Sequence, residues 1–370
     1  MKEIERFHQA ATQLADTADR IRQTGRKIIG YPCSYAPEEL IHAAGGHPMR
    51  LFSSGHSIIL GESHLQSYCC SVVRGILEDS LAGRLDFLDG TVFPHTCDSM
   101  QRLSDIWRMN GRYKFFADLA LPAKLNTSSS AAYLESVLAR FKADLEAALG
   151  TSITDADLAS SIALFNRIRT HLSFIHDFYS RHPGQIRGSD MNALVKGAMI
   201  MDRDEADTLL ADVAASLRHL PVQDTPVKRV VLAGSVCDTP DLSDAVEAAG
   251  GAVVGDDLCT GQRWFDRLVP EDQPPLTALA DRYRERVICP AKHAGLTTRA
   301  DHLISLVNNS RAHGVLFVML KFCDPHAFDY PYLKECLDAK GIKSMALEID
   351  DGRQNQGRFS TRIETFIHML

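Results

Sequence analysis

The sequence predicts an α/β protein made of two doubly wound, Rossmann- or flavodoxin-like parallel-sheet domains, related by apparent duplication, with a helical middle segment. Three observations carry that prediction. Apolar runs alternate with amphipathic stretches at both ends of the chain, the intervening residues show helical spacing without a strand pattern, and the two alternating regions resemble each other.

The elements follow in order. "MKEIERFHQAATQLADTADRIRQ" is polar and amphipathic, so residues 1–26 are expected to form an N-terminal helix and not a signal peptide. An N-terminal α/β domain is expected over 27–128. There "RKIIGYPCSY" reads as a strand running into a loop at Cys33, and "APEELIHAAGG" as a helix with Pro37 and acids at its start and glycines at its end. "HPMRLFS" is the next strand, "LQSYCCSVVRGILEDSLAG" a helix, and "FLDGTVFP" a strand ending before Cys97.

Residues 129–224 form the helical segment, with apolar residues at helical spacing in "SSAAYLESVLARFKADLEAALG", "TDADLASSIALFNRIRTHLSFIHDFYSRH" and "DEADTLLADVAASLRHL". "PVQDTPVK" reads as a linker. A C-terminal α/β domain over 225–370 has the strands "KRVVLAGSVCD", "GAVVGDD", "HGVLFVML" and "IKSMALEID". Duplication is visible in "CSYAPEELIHAAGG" against "CDTPDLSDAVEAAGG", and in "DGTVFPHTCD" against "HGVLFVMLKFCD".

Composition limits the function. The 370 residues are 45% hydrophobic and 24% charged, ordinary for a chain that buries a large core. A net charge of −7 without a Lys/Arg cluster argues against nucleic acid or an anionic membrane as the main partner. No apolar run approaches the roughly 18 residues that span a bilayer. A cytoplasmic location is expected.

Nine cysteines in such a compartment do not make a disulfide framework, and no CxxC pair occurs. Cys33, Cys97, Cys237 and Cys323 each follow a predicted strand, Cys259 lies shortly after one, and Cys289 closes an apolar run. These are the strand ends where doubly wound sheets bind ligands. Cys70 lies near a helix start, where free N–H groups favour a thiolate. Taken singly, each thiol is explained equally well as a small buried hydrophobe. Cys336 and one member of the Cys69–Cys70 pair are expected to be packing. The strand-end set taken together points to metal. Scattered thiols suit an iron–sulfur cluster better than a structural zinc, which short local loops normally enclose.

"LQSYCCSVVRGILEDSLAGRLDFLDGTVFPHTCDSMQRLSDIW", "YPCSYAPEELIHAAGGHPMRLF" before it and "FCDP" near the end resemble the 2-hydroxyacyl-CoA dehydratase/benzoyl-CoA reductase family, from about Lys27 to the C-terminus. The resemblance implies a 4Fe–4S cluster on Cys70, Cys97 and Cys323. It also implies single electrons from a homodimeric ATP-dependent iron–sulfur activator protein, and an acyl-CoA substrate bound by two unlike subunits. Cys33, Cys259 and Cys289 depart from that three-cysteine pattern. With the other three they resemble the six-cysteine set of the double-cubane (8Fe–9S) proteins of the same superfamily, which are homodimers that reduce small molecules. The reading preferred here is that branch: an iron–sulfur oxidoreductase, homodimeric, acting on a small molecule. The alternative is a 4Fe–4S subunit of a heteromeric (R)-2-hydroxyacyl-CoA dehydratase or benzoyl-CoA reductase, paired with a paralogous subunit. Cys237 in place of Cys259 stays open as a ligand.

Other signals are negative or secondary. No Walker A sequence occurs, so ATP is not expected on this chain. Asp256–Asp257 has no GxGxxG before it, "GSVCD" is not a GxSxG elbow, and no HExxH is present. By the same resemblance Ser34, the one catalytic candidate, and Glu38 would contact substrate, a helix-start cap being the plain alternative for Ser34. Lys292, His293, Arg263 and Lys321 stand beside the proposed ligands and would offset their charge, with solvated surface charge as the alternative for each.

Overall fold

Two four-stranded sheets, all parallel, organise the chain, as the sequence predicted. The computed structural model describes residues 2–111, 113–221, 226–237, 241–350 and 356–370. The first sheet contains β1 (Ile28–Tyr31), β2 (His47–Arg50), β3 (Gly90–Pro94) and β4 (Phe115–Leu119), in the order β2-β1-β3-β4. The second contains β5 (Lys228–Gly234), β6 (Gly251–Asp257), β7 (Gly314–Leu320) and β8 (Lys343–Ile349), in the order β6-β5-β7-β8. The same strand order recurs, so the duplication legible in two short motifs extends to the whole topology.

Helices cover both faces of each sheet, which is why the inner strands read as continuous apolar runs. Ile28 and Phe93 point into one apolar cluster, while Ile29, Tyr31 and Val92 point into another. In the second sheet Val230, Leu232, Leu316 and Val318 join that first cluster, and Val231, Val315 and Phe317 form a third. One core is therefore common to both sheets and holds the two halves together.

At the N-terminus, α1 (Lys2–Thr12) and α2 (Leu14–Gln23) replace the single helix expected over 1–26. Gln13, at φ −114° and ψ 64°, leaves the helical region between them. Each piece then turns its own stripe inward: Ile4, Phe7 and Ala10 from one, Thr17, Ala18 and Ile21 from the other. In the first half, α3 (Glu38–Ala43), α4 (Ser71–Leu81) and α5 (Asp98–Asn110) connect the strands.

The middle helices are α6 (Ser128–Leu149), α7 (Asp155–Arg181), α8 (Gly188–Ala198) and α9 (Arg203–Arg218). Reciprocal capping boxes start two of them, Thr127 with Ser130 and Thr154 with Asp157. The sequence reading missed α8, whose glycines dilute the helical signal. Gly197 is needed there: a Cβ would stand 2.7 Å from Phe7 O, where α1 lies against it. Of the expected linker "PVQDTPVK", residues 222–225 lie outside the described residues. In the second half follow α10 (Asp241–Ala248), α11 (Gln262–Phe265), α12 (Pro275–Glu285), α13 (Thr298–Asn309), α14 (Asp324–Ala339) and α15 (Gln356–Met369). Among the described residues no helix is long and apolar enough to cross a membrane.

Candidate metal centre

Parallel strands place their carboxyl ends on one edge of each sheet, and in this molecule the two edges contribute thiols to one region. Cys33 follows β1 and Cys259 follows β6, while Cys289 lies in the loop between α12 and α13. The other three are N-caps: Cys70 of α4, Cys97 of α5 and Cys323 of α14. Neighbouring sulfurs form a closed electrostatic circuit: Cys70 with Cys97, Cys97 with Cys33, Cys33 with Cys289, Cys289 with Cys259, Cys259 with Cys323, and Cys323 with Cys70. All six predicted ligands are thus brought together. A cavity of about 480 Å³ opens beside them, lined by Cys70, Cys97, Cys323, Thr96 and Phe328.

The six divide by local structure. Each N-cap sulfur lies beneath the N–H of the third residue of its helix: Val73, Met100 or His326. The amides favour the thiolate, although none reaches the geometry of a capping hydrogen bond. Burial works against them and prevails, pushing Cys70 and Cys97 up to about 12 and raising Cys323 as well. Phe322, directly before Cys323, is held at φ 63°, a left-handed conformation that costs energy for a side chain of this size. That turn aims the sulfur into the cavity region.

Around the loop thiols the compensation comes from cations. Cys289 donates its S–H to Cys259, and Arg263 and Arg50 add positive charge, so Cys259 is the thiolate of the pair and Cys289 is pushed well up. Arg263 Nη1 stands 3.6 Å from Cys259 Sγ. Arg50 is buried and stacks near the Tyr31 and Phe52 rings at 5.7 and 5.8 Å. Its Nε and Nη1 meet no hydrogen-bond acceptor among the described residues. Lys292 is buried too, and reaches the carbonyls of Leu121 at 3.2 Å and His95 at 3.4 Å. Burial lowers its pKa, against the pull of Cys33, Cys289 and Cys97.

Of the four cations expected to offset the sulfurs, Arg263 and Lys292 are in place. Lys321 instead pairs with Asp350 at 3.1 Å, and His293 is exposed and engaged through its backbone with Ala123 and Leu125. Sequence reasoning missed Arg50, Arg286 and His326. The first closes the strand "HPMR", and the last follows Cys323 at i+3 in "CDPH", a spacing that places both on one turn of helix.

Ser34 is buried, with its carbonyl and Oγ accepting from Arg286 at 2.9 and 3.0 Å. Glu38 accepts from Tyr31 Oη at 2.5 Å, Trp264 Nε1 at 2.6 Å and Arg203 Nη2 at 2.9 Å, which joins both halves to α9. Cys237 exchanges backbone hydrogen bonds with the Thr260 hydroxyl, one residue after Cys259, at 3.0 and 2.9 Å. It lines a second, larger cavity of about 950 Å³, walled by Phe52, Val72, Leu85 and Phe87 with Lys196 at its side. Cys69 sits in the apolar core and Cys336 borders the third cluster. Among the described residues no three His, Cys, Asp or Glu side chains converge closely enough to grip a single metal ion.

The fold defines an α/β chain of two like parallel-sheet halves, with six free thiols in its loops and at its helix starts. A family described as 2-hydroxyglutaryl-CoA dehydratase, D-component, matches residues 33–370, and the chain belongs to that family. It is 27% identical over 350 residues to the (R)-phenyllactyl-CoA dehydratase beta subunit of Clostridium sporogenes, covering 95% of this chain and 93% of that protein. It is 29% identical over 316 residues to a benzoyl-CoA reductase subunit of Thauera aromatica, covering 84% and 82%. To the (R)-2-hydroxyglutaryl-CoA dehydratase beta subunit of Acidaminococcus fermentans it is 27% identical over 373 residues, covering 99% and 98%. These relatives are subunits of acyl-CoA dehydratases and of an acyl-CoA reductase.

Proposed function

We propose that this chain is an iron–sulfur reductase of its family, taking low-potential electrons from an ATP-hydrolysing activator and reducing a small molecule at a double-cubane-type cluster. The observation that carries the reading is the closed circuit of six thiols. The donor set fits the group. Soft thiols drawn from separate segments, three of them lining one cavity and none converging on a single point, suit a cluster whose irons and sulfides lie between the ligands better than a single ion. Cys70, Cys97 and Cys323 would hold one part and Cys33, Cys259 and Cys289 the other, each set drawing on both halves of the chain. Such a cluster supplies single electrons at low potential.

The protein's own part is electrostatic. Three helix N-termini face the first set, and Arg263, Lys292 and Arg50 surround the second. Arg50 fits the reading especially well, because a buried guanidinium with two unpaired nitrogens asks for an anion nearby. Anaerobically isolated protein should carry about eight irons per chain. A count near four that Cys289→Ser leaves unchanged would favour the second reading, and iron-free protein with stoichiometric zinc would sink both.

The second reading is a 4Fe–4S subunit of a heteromeric acyl-CoA dehydratase, a lyase, or of a benzoyl-CoA reductase. The relatives' names favour it, and so does the 950 Å³ cavity, whose apolar wall and Lys196 suit an acyl chain with an anionic carrier. Copurification of a paralogous subunit with acyl-CoA-dependent turnover would decide for it.

A further inference from the structure

His326 lies in the first turn of α14 and is buried. Its Nδ1 is 3.3 Å from Cys323 Sγ, and its Nε2 is 3.3 Å from Arg263 Nη1. A guanidinium only donates, so Nε2 must be the accepting nitrogen, free of hydrogen. The ring proton therefore rests on Nδ1, on the side of the sulfur. The carbonyl of Gly234 is the other acceptor within the ring's reach.

Arg263 itself cannot swing away. Asp257 accepts from its Nε and, at 2.7 Å, from its Nη2, and Asp257 is held in turn by Arg299 Nη2 at 3.0 Å. The same Nη1 that meets His326 also reaches Cys259 Sγ at 3.6 Å. One locked guanidinium thus addresses a sulfur of each set, Cys259 directly and Cys323 through an imidazole.

We propose that His326 is a positioning residue for the cluster: it relays the donor strength of Arg263 to the Cys323 sulfur, and so raises the reduction potential at that sulfur. A hydrogen bond to a cysteine sulfur stabilises the more negative, reduced state, so its loss moves the potential down. The proposal rests on the iron–sulfur reading, and the test separates the two.

Full-length protein is isolated anaerobically as wild type, His326→Asn, which keeps an N–H where Nδ1 stands, and His326→Leu, which keeps none. Iron and sulfide are counted first, and midpoint potentials are then measured by titration followed by electron paramagnetic resonance. With iron content unchanged, His326→Leu should titrate at a more negative potential and His326→Asn near wild type. Equal potentials for wild type and His326→Leu, or for the two variants, would overturn the relay. Should His326→Leu shed its iron, unmutated protein labelled with 15N-histidine decides. The reduced cluster should show weak hyperfine coupling to one histidine nitrogen, and its absence would mean that the ring N–H donates to the Gly234 carbonyl and not to the sulfur, which overturns the relay. Wild-type protein without iron would instead overturn the iron–sulfur reading at the first step.

Discussion

At the scale of single residues the structure separates thiols that the sequence leaves alike. Cys69 and Cys70 are adjacent, yet only Cys70 caps a helix within the sulfur circuit, while Cys69 packs in the apolar core. Cys70→Ser should therefore strip iron from the protein, whereas Cys69→Ser should keep it, at the cost of a small packing defect. Iron per chain after anaerobic purification reads both, and the reverse outcome would place the ligand one residue earlier. Arg50 permits a test in which the sign changes. Without an anion beside it, a buried guanidinium with unpaired nitrogens is a liability, so Arg50→Met should raise the melting temperature of the metal-free protein. In the iron-loaded protein the same change should lower it. Shifts of one sign in both forms would show that Arg50 does not answer the cluster. The cysteines were legible because nine thiols without a disulfide among them are informative wherever they stand. Arg50 was not, because a strand-end arginine reads as a solvated charge until the fold buries it.

At the scale of elements, the buried inner strands and three of the four edge strands were legible in the sequence, and the edge strand β4 was not. β4 alternates buried with partly or fully exposed positions, as an edge strand does, and Asp118, the fourth of its five residues, hides the apolar signal. The packing of α3 on α7 depends on a pair that no local pattern reveals. Glu39 is buried and accepts from Arg169 across 130 positions of sequence. Burial alone would raise its pKa, but Arg169 and Arg282 outweigh that and hold it below the ordinary glutamate value. The pair's stabilisation is thus present above the unfolded pKa and is lost as pH falls through the lower, folded one. Arg169→Met leaves a carboxylate buried without its main partner and should cost about 3–5 kcal/mol near neutral pH. As pH drops the unpaired Glu39 takes up a proton, so the difference from wild type should narrow. Urea denaturation at a series of pH values measures this, and a pH-independent difference would mean that lost packing, not charge, sets the cost.

At the scale of the whole molecule, the duplication decides where chemistry can occur. Two sheets of the same strand order each bring three of the six thiols, Cys33, Cys70 and Cys97 from one half and Cys259, Cys289 and Cys323 from the other. The repeated Cys-Asp pair in "HTCD" and "KFCD" announced this arrangement. The convergence itself was not legible, since it depends on how the halves dock through their shared core. The chain has no phosphate-binding loop of Walker A type, so under the proposed function the energy for low-potential electrons must come from a partner. That partner needs access to the sulfurs, and the cavity beside Cys70, Cys97 and Cys323 offers it. Phe328 stands on its rim with 85% of its surface exposed, and the partly exposed Phe322 lines the same cavity, so the two rings offer a partner an apolar contact there. Reduced activator with MgATP should reduce this protein, and activator without ATP should not do so at a useful rate. Phe328→Glu should slow the activator-dependent step by at least about tenfold, the equivalent of roughly 1.4 kcal/mol of lost docking energy. Reduction by dithionite, too small to need a docking surface, should be unaffected. Equal loss of both routes would mean that Phe328 supports the cluster itself, and full turnover on dithionite alone would replace the ATP-gated mechanism with a simple iron–sulfur reductase.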